Sequence, residues 1–308
     1  MIEQLPPLVG LTALLQAAVR ISTPVSLAAI GESVLERSGV VNVGLEAMML
    51  MGAFAGFATA SLTGSLGAGT VGGVATGAVM GLGFGAMVNK AKANAIASGV
   101  ALNLLALGLT ATAMRRLYPG GTAPFLSPLH PIRVPMFADI PFLGKVLFVQ
   151  SPFFYAMALS AAGTGALLWG TKHGLRIRAA GEMPEALLFS GLRPESQRMR
   201  AAVLCGALAG LGGSQLSIDI ASTFTEQATA GRGFVALAIV LIGRRDPRLV
   251  PLASLVYGIA EAYTLRLISS GTGMTVSISE LLPGLPFALT LGVYAIASLS
   301  SKRRSAPA

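Results

Sequence analysis

Residues 66–88, 93–114, 151–171, 201–218 and 281–301 of this sequence pass without one charged side chain. Three further stretches, 8–30, 43–62 and 249–265, carry a single charge each, at Arg20, Glu46 and Glu261. A hydrocarbon core about 30 Å thick is crossed by roughly 20 mainly apolar residues in α-helix, so all eight are span-sized. A ninth stretch, 233–243, has only 11 residues and crosses only with help from its neighbours. The expected fold is all-α: a polytopic transmembrane helical bundle of about 8–10 spans with broken or re-entrant segments. Composition agrees, because only 11% of the 308 residues are charged, against about 25% in a soluble domain.

The same arithmetic removes several chemistries. One cysteine, Cys205, excludes an intramolecular disulfide and a cysteine-built metal site, and the two histidines, His130 and His173, leave little for a His-ligated centre. Neither a metal nor a cofactor is expected. The string from Gly165 to Lys172 places Thr171 before Lys172 at the end of a span, so it is no phosphate-binding loop. No Ser/His/Asp arrangement and no HExxH motif stand out, so the chain reads as a non-enzyme whose uphill work would need an ATPase on another polypeptide. The N-terminus lacks the basic segment of a signal peptide, and no cleavage is expected.

A net charge of +9 would point to nucleic acid in a soluble protein. Here it reflects where the basic residues fall. Arg37, the 90–92 turn, the 171–200 loop, the 243–248 turn and the C-terminus together hold 15 of the 22 Lys and Arg residues. The loop 115–150 holds only Arg115, Arg116, Arg133 and Lys145. The positive-inside rule puts the first set, with the C-terminus, in the cytoplasm and 115–150 outside. Alternation then requires 233–243 to cross and puts the N-terminus outside, unless a re-entrant segment near 31–42 reverses it. No nucleic-acid partner is expected; membrane lipid is. Six prolines between 119 and 141 exclude a long regular helix from the outer loop, which reads as an extended packed segment.

Gly69, Gly73, Gly77, Gly81 and Gly85 recur every four residues, which on a helix makes a ridge without side chains where another backbone can approach closely; Gly206 and Gly210 repeat the device. Charges at membrane depth cost a few kcal/mol each and are functional candidates. Asp219, Glu226 and Arg266 are expected near the outer interface, and Arg20 can snorkel. Glu46 and Glu261, inside apolar runs, either line an aqueous pathway or form buried pairs. Two segments, 39–46 and 231–236, put glycines at the mouth of an apolar run, the pattern of discontinuous helices beside a permeation pathway.

In the 171–200 loop, Pro184 suits a first helical turn, Glu185 the positive helix N-terminus and Gly191 a stop, with Leu187, Leu188 and Leu192 as an apolar face. Glu185-Ala186-Leu187 with Gly191 resembles the Glu-Ala-Ala-xxx-Gly coupling motif of ABC-importer permeases, Leu187 replacing the second Ala. Longer strings agree: Gly31-Glu32-Ser33 and Glu36-Arg37-Ser38-Gly39-Val40-Val41-Asn42-Val43-Gly44-Leu45-Glu46, then Ala101-Leu102-Asn103-Leu104-Leu105, then Ala230-Gly231-Arg232-Gly233-Phe234-Val235. From about 25 to 300 the chain resembles the branched-chain amino acid/monosaccharide permease superfamily, and within it the nucleoside (simple sugar) branch.

That resemblance implies one permease domain over 1–308, an external Pro-rich loop at 115–150 and a cytoplasmic coupling loop at 171–200. It implies a multi-pass subunit of the bacterial plasma (inner) membrane that imports nucleosides by alternating access. The implied partners are separate ABC ATPase subunits, a second and non-identical permease, and an external solute-binding lipoprotein. Glu185, Ala186, Leu187 and Gly191 would couple to the ATPase; Asn42, Glu46, Asn103, Arg232 and Phe234 would form the translocation pathway. The alternatives are an ABC permease for a monosaccharide or a branched-chain amino acid, and a proton-coupled secondary transporter using Glu46 or Glu261.

Overall fold

The computed structural model describes residues 7–269, except 121–122, 136, 139, 141–142 and 227. The apolar run at 281–301 and the basic residues Lys302, Arg303 and Arg304 lie outside the described residues. In chain order the helices are α1 (Pro7–Arg37), α2 (Leu45–Thr63), α3 (Leu66–Asn89), α4 (Ala95–Leu117), the short α5 (Leu143–Leu147), α6 (Pro152–Gly170), α7 (Lys172–Glu182), α8 (Pro184–Phe189), α9 (Pro194–Gln215), α10 (Arg232–Ile242) and α11 (Val250–Ser269). A π-helical turn, Leu216–Ile220, extends α9.

Six of the described helices are long and apolar enough to cross a membrane: Gly10–Arg37, Leu45–Thr63, Leu66–Asn89, Ala95–Leu117, Pro152–Gly170 and Pro194–Ile220. With almost no strand among the described residues, the chain is an all-α polytopic bundle. Helix α11 has the length but carries Glu261 and Arg266. Helix α10 has 11 residues, or about 16 Å of rise, half the thickness of the hydrocarbon core. The first span, expected to close at residue 30, instead continues unbroken to Arg37. It can do so because its two extra carboxylates, Glu32 and Glu36, find partners inside the bundle, described below.

Local chemistry explains many of the ends. Gly64, at φ +68°, closes α2, and Ser65 opens α3 by accepting the Ala68 N–H at 3.3 Å. Asn94 caps α4 through Ile96 N and Ala97 N. Pro152, Pro184 and Pro194 each sit in a first turn, where a missing N–H costs nothing.

The glycine ridge of α3 packs on α9 as its spacing predicts. A methyl group on Gly77 would run into the Gly206 carbonyl, one on Gly81 into the Ala202 carbonyl, and one on Gly73 would lie 2.8 Å from the Gly52 carbonyl. Reciprocally, Gly206 and Gly210 face Gly77 and Gly73. Helices α2, α3 and α9 thus meet backbone to backbone, with α1 against the other side of α9 through Gly31 and Cys205. The outward faces of α3 and α4, with Val71, Val79, Leu104 and Leu105 exposed, are apolar, as a surface in contact with lipid tails must be.

The bundle has a basic end and a loop end. At the basic end Arg37 donates to the Arg245 carbonyl at 2.9 Å, Arg245 pairs with Glu36 at 2.7 Å, and Arg198 bridges the Ser38 and Ala180 carbonyls. The basic loops separated in sequence are therefore gathered in space. At the other end lies the 118–151 segment, with α5 and a two-residue antiparallel ribbon pairing Ile132 with Gln150. It is pinned to the bundle by Leu126 N–H on the Ser222 carbonyl and Gln16 on the Lys145 carbonyl. Asp219, expected near the outer interface, lies at this loop end but is buried, and the half-exposed Arg20 side chain reaches it at 3.5 Å.

Candidate functional site

The two glycine-flanked segments meet. Residues 38–44 turn back from the end of α1 into the bundle as non-helical backbone, with Gly39 at φ +91°. Buried backbone without a helix must find partners one by one, and here side chains supply them. The Asn42 N–H donates to Glu32 Oε1 at 2.8 Å, and Asn42 Oδ1 accepts the Gly44 N–H at 2.9 Å. From α4, Asn103 accepts the Ala47 N–H at 2.9 Å through Oδ1 and donates through Nδ2 to the Val43 carbonyl at 3.1 Å. One amide thus caps the start of α2 and holds the segment before it. Gly99 makes this approach possible, since a methyl group there would lie 2.5 Å from the Gly44 nitrogen.

Opposite stands the second break. Gly231, at φ +80°, opens α10. Glu46, in the first turn of α2, reaches across so that Oε1 accepts the Thr229 hydroxyl and the Gly231 N–H at 2.9 Å, and Oε2 accepts the Gly233 N–H at 2.6 Å. Two helix N-termini, each with its positive dipole end, converge on one carboxylate. Three donors and two dipoles offset the cost of placing a negative charge there. The next residue, Arg232, pairs with Glu261 on α11 at 3.5 Å, and Tyr257 lies beside that pair. Phe234 is half exposed.

All five residues assigned to a pathway from sequence, Asn42, Glu46, Asn103, Arg232 and Phe234, therefore belong to one junction. The polar atoms of the first three are all engaged, mostly with backbone and otherwise with Met48, Cys205 and Thr229, so they shape the junction; Phe234 and Val41 are its exposed apolar residues. Glu46 and Glu261 both sit in partnered arrangements.

Sequence reasoning missed Glu32. It is fully buried on α1, accepts Asn42 N–H, and receives the Cys205 thiol at 3.3 Å from α9. Its signal was available: Glu32 and Glu36 stand four apart at the end of an apolar run. Nothing in the sequence marks Cys205 as the partner of Glu32, or Arg245 as that of Glu36.

The coupling candidates lie apart, at the basic end. Helix α8 closes in a Schellman turn, with Leu192 N–H on the Leu187 carbonyl and Gly191 N–H on the Leu188 carbonyl, both at 2.9 Å, and Gly191 at φ +73°. Leu187 is buried beneath the turn, whereas Leu188 points outward, unlike the expected common face. Glu185, Ala186, Met183 and Phe189 are exposed, Phe189 at 93%. Immediately behind, Gly181 touches Gly39: a methyl group on Gly181 would lie 2.8 Å from the Gly39 nitrogen. Among the described residues no group of three His, Cys, Asp or Glu could hold a metal ion.

Comparison with known proteins places this geometry. The family described as the permease component of branched-chain amino acid transport systems matches residues 14–291. The chain is 33% identical over 263 residues to the guanosine ABC transporter permease protein of Bacillus subtilis, covering 83% of this chain and 82% of that one. It is 31% identical over 286 residues to the nucleoside ABC transporter permease protein of Lactococcus lactis, covering 89% of each. A putative glucose ABC transporter permease protein of Haloferax volcanii is 30% identical over 253 residues, 82% of this chain and 77% of that one. No solved structure matches.

Proposed function

The chain belongs to the permease family of branched-chain amino acid transport systems, and from that premise we propose that it carries nucleosides. It is a membrane-spanning, multi-pass permease subunit of an ABC importer, a transport subunit and not an enzyme. The observation that carries the substrate is the likeness to relatives named for guanosine and for nucleosides, which extends over more than four-fifths of both chains.

In this reading the basic end faces the cytoplasm of a bacterial cell, the 115–150 loop faces outward, and the C-terminus is cytoplasmic. An ABC ATPase subunit grips α8 at the exposed Met183, Glu185, Leu188 and Phe189. A second, non-identical permease completes the pathway, and an external solute-binding lipoprotein delivers the substrate. Movement of α8 has a direct mechanical route inward. Helix α7 abuts Gly39 through Gly181, Arg198 ties Ser38 to Ala180, and the same segment leads through Asn42 to Glu46 and α10. ATP-driven closure displaces the 38–44 segment, and the paired helix starts at Glu46 separate to open the pathway the other way. At the loop end, a cavity of about 400 Å³ walled by Tyr118, Phe224, Arg115 and Glu226 has room for one nucleoside.

The test is uptake by the complete assembly in proteoliposomes, with ATP inside the cytoplasmic compartment. ATP-dependent accumulation of guanosine, insensitive to a protonophore, is expected. Accumulation of glucose alone overturns the substrate, and ATP-independent, protonophore-sensitive uptake overturns the mechanism.

A further inference from the structure

At the basic end three guanidinium groups share one indole. Arg178 of α7, Arg37 of α1 and Arg248 of the turn before α11 lie 4.3, 5.5 and 5.8 Å from the centroid of the Trp169 ring. Like charges drawn to one ring repel one another, and the two neighbouring carboxylates leave one of the three positive charges unbalanced. Glu182 stands 3.9 Å from Arg37 and Asp246 stands 3.5 Å from Arg248. Arg178 makes no ion pair or hydrogen bond among the described residues, and its Nε is buried without a partner. Arg248 is held in place by its stem, which lies across Gly165 so closely that a methyl group there would be 2.7 Å from Arg248 Cγ.

The ring itself ends an exposed stripe. Leu159, Ala162, Gly163, Ala166 and Trp169 recur at helical spacing on the outward face of α6 and are all exposed. Between the large Leu159 and Trp169 the floor is small, and a side chain at Gly163 would meet nothing within 4 Å. The furrow is about 15 Å long at 1.5 Å per residue, one leaflet of a core about 30 Å thick. Trp at the end of a span is the usual occupant of the headgroup level. An apolar furrow of acyl-chain length leads directly to an arginine cluster with one unbalanced positive charge at that level.

We propose that this is a binding site for an anionic phospholipid, with its phosphate between Arg178 and Arg248 and one acyl chain along Leu159, Ala162, Gly163 and Ala166. A free anion has no use for the furrow, and an acidic protein loop would leave it to bulk lipid. The site does not depend on which substrate the pathway carries.

The test is native mass spectrometry of the delipidated complete assembly, offered phosphatidylglycerol and phosphatidylcholine in equal amounts. Phosphatidylglycerol is retained preferentially, and Arg178→Gln and Arg248→Gln each lower its retention roughly fivefold. Gly163→Leu, which fills the furrow without touching the packing, lowers retention with the arginines intact. Excess inorganic phosphate fails to displace the lipid. Equal retention of the two lipids by the unaltered assembly overturns the proposal, as does phosphatidylglycerol retention unchanged in the double arginine variant or in Gly163→Leu. Displacement by inorganic phosphate would mark a free-anion site and overturns it too, as does release of the ATPase from Arg178→Gln without any lipid preference.

Discussion

Glu46 and Gly233 are locked together across the bundle: the Gly233 N–H lies 2.6 Å from Glu46 Oε2, and a methyl group on Gly233 would sit 2.5 Å from the Glu46 Cα. The start of α10 fits against the start of α2 only because position 233 has no side chain, and the fit places three donors around one carboxylate.

Replacing Glu46 by Lys puts a third positive group between two helix N-termini and leaves the Gly231 and Gly233 N–H groups without their acceptor. Each unsatisfied donor costs about 1–3 kcal/mol. Loss of ATP-dependent uptake with a lowered Tm is expected; unchanged uptake in proteoliposomes would remove Glu46 from the junction's working parts. Gly233→Ala should fail in the same assay, for the steric reason alone.

Two glycines six residues apart on α3 should behave oppositely. Gly77→Ala forces its methyl group into the Gly206 carbonyl, whereas Gly83→Ala meets nothing within 4 Å. Overpacking costs about 1–3 kcal/mol, while Ala gains up to about 1 kcal/mol over Gly in a helix. Thermal unfolding in detergent should show Gly77→Ala well below the parent and Gly83→Ala equal to or above it.

Helix α8 offers a separation of coupling from folding. Phe189→Asp alters a side chain that is 93% exposed, so the Tm should stay put. Transport-dependent ATP hydrolysis should fall severalfold. Gly191→Val strains a residue at φ +73°, costing about 1–2 kcal/mol, and should cripple uptake while the spans stay folded. Normal uptake in both variants would dissociate α8 from the ATPase.

Glu32→Ala removes the acceptor of the Asn42 N–H and of the Cys205 thiol inside a buried cluster. A loss of about 1–3 kcal/mol is expected from the stranded amide, together with faster maleimide labelling of Cys205 as the 38–44 segment loosens. Labelling as slow as in the parent would mean that the segment holds without Glu32.

Periodicity and composition made the spans, the α3 ridge and the short α10 legible, because apolar length and four-residue glycine spacing act along one helix. The prolines and Gly191 likewise announced α8, since they act on their own backbone. Partners were not legible. Glu46 and Glu261 could be recognised as costly in lipid, but whether each met water or a donor depends on residues about 185 and 29 positions away. The orientation of Leu188 failed because the spacing of three leucines does not say where the neighbouring helix ends.

What the sequence determined by itself is everything that follows from local energetics: which stretches prefer hydrocarbon, where helices start and stop, and which helix faces lack side chains. The tertiary structure alone decided that α3 turns its bare ridge to α9, that Asn103 caps α2 from another helix, and that the two broken segments share a carboxylate. The reason is that a buried polar group is neutral in its effect only when a donor or acceptor stands within about 3 Å of it. Distances on that scale between remote residues are set by helix packing, which no single segment encodes.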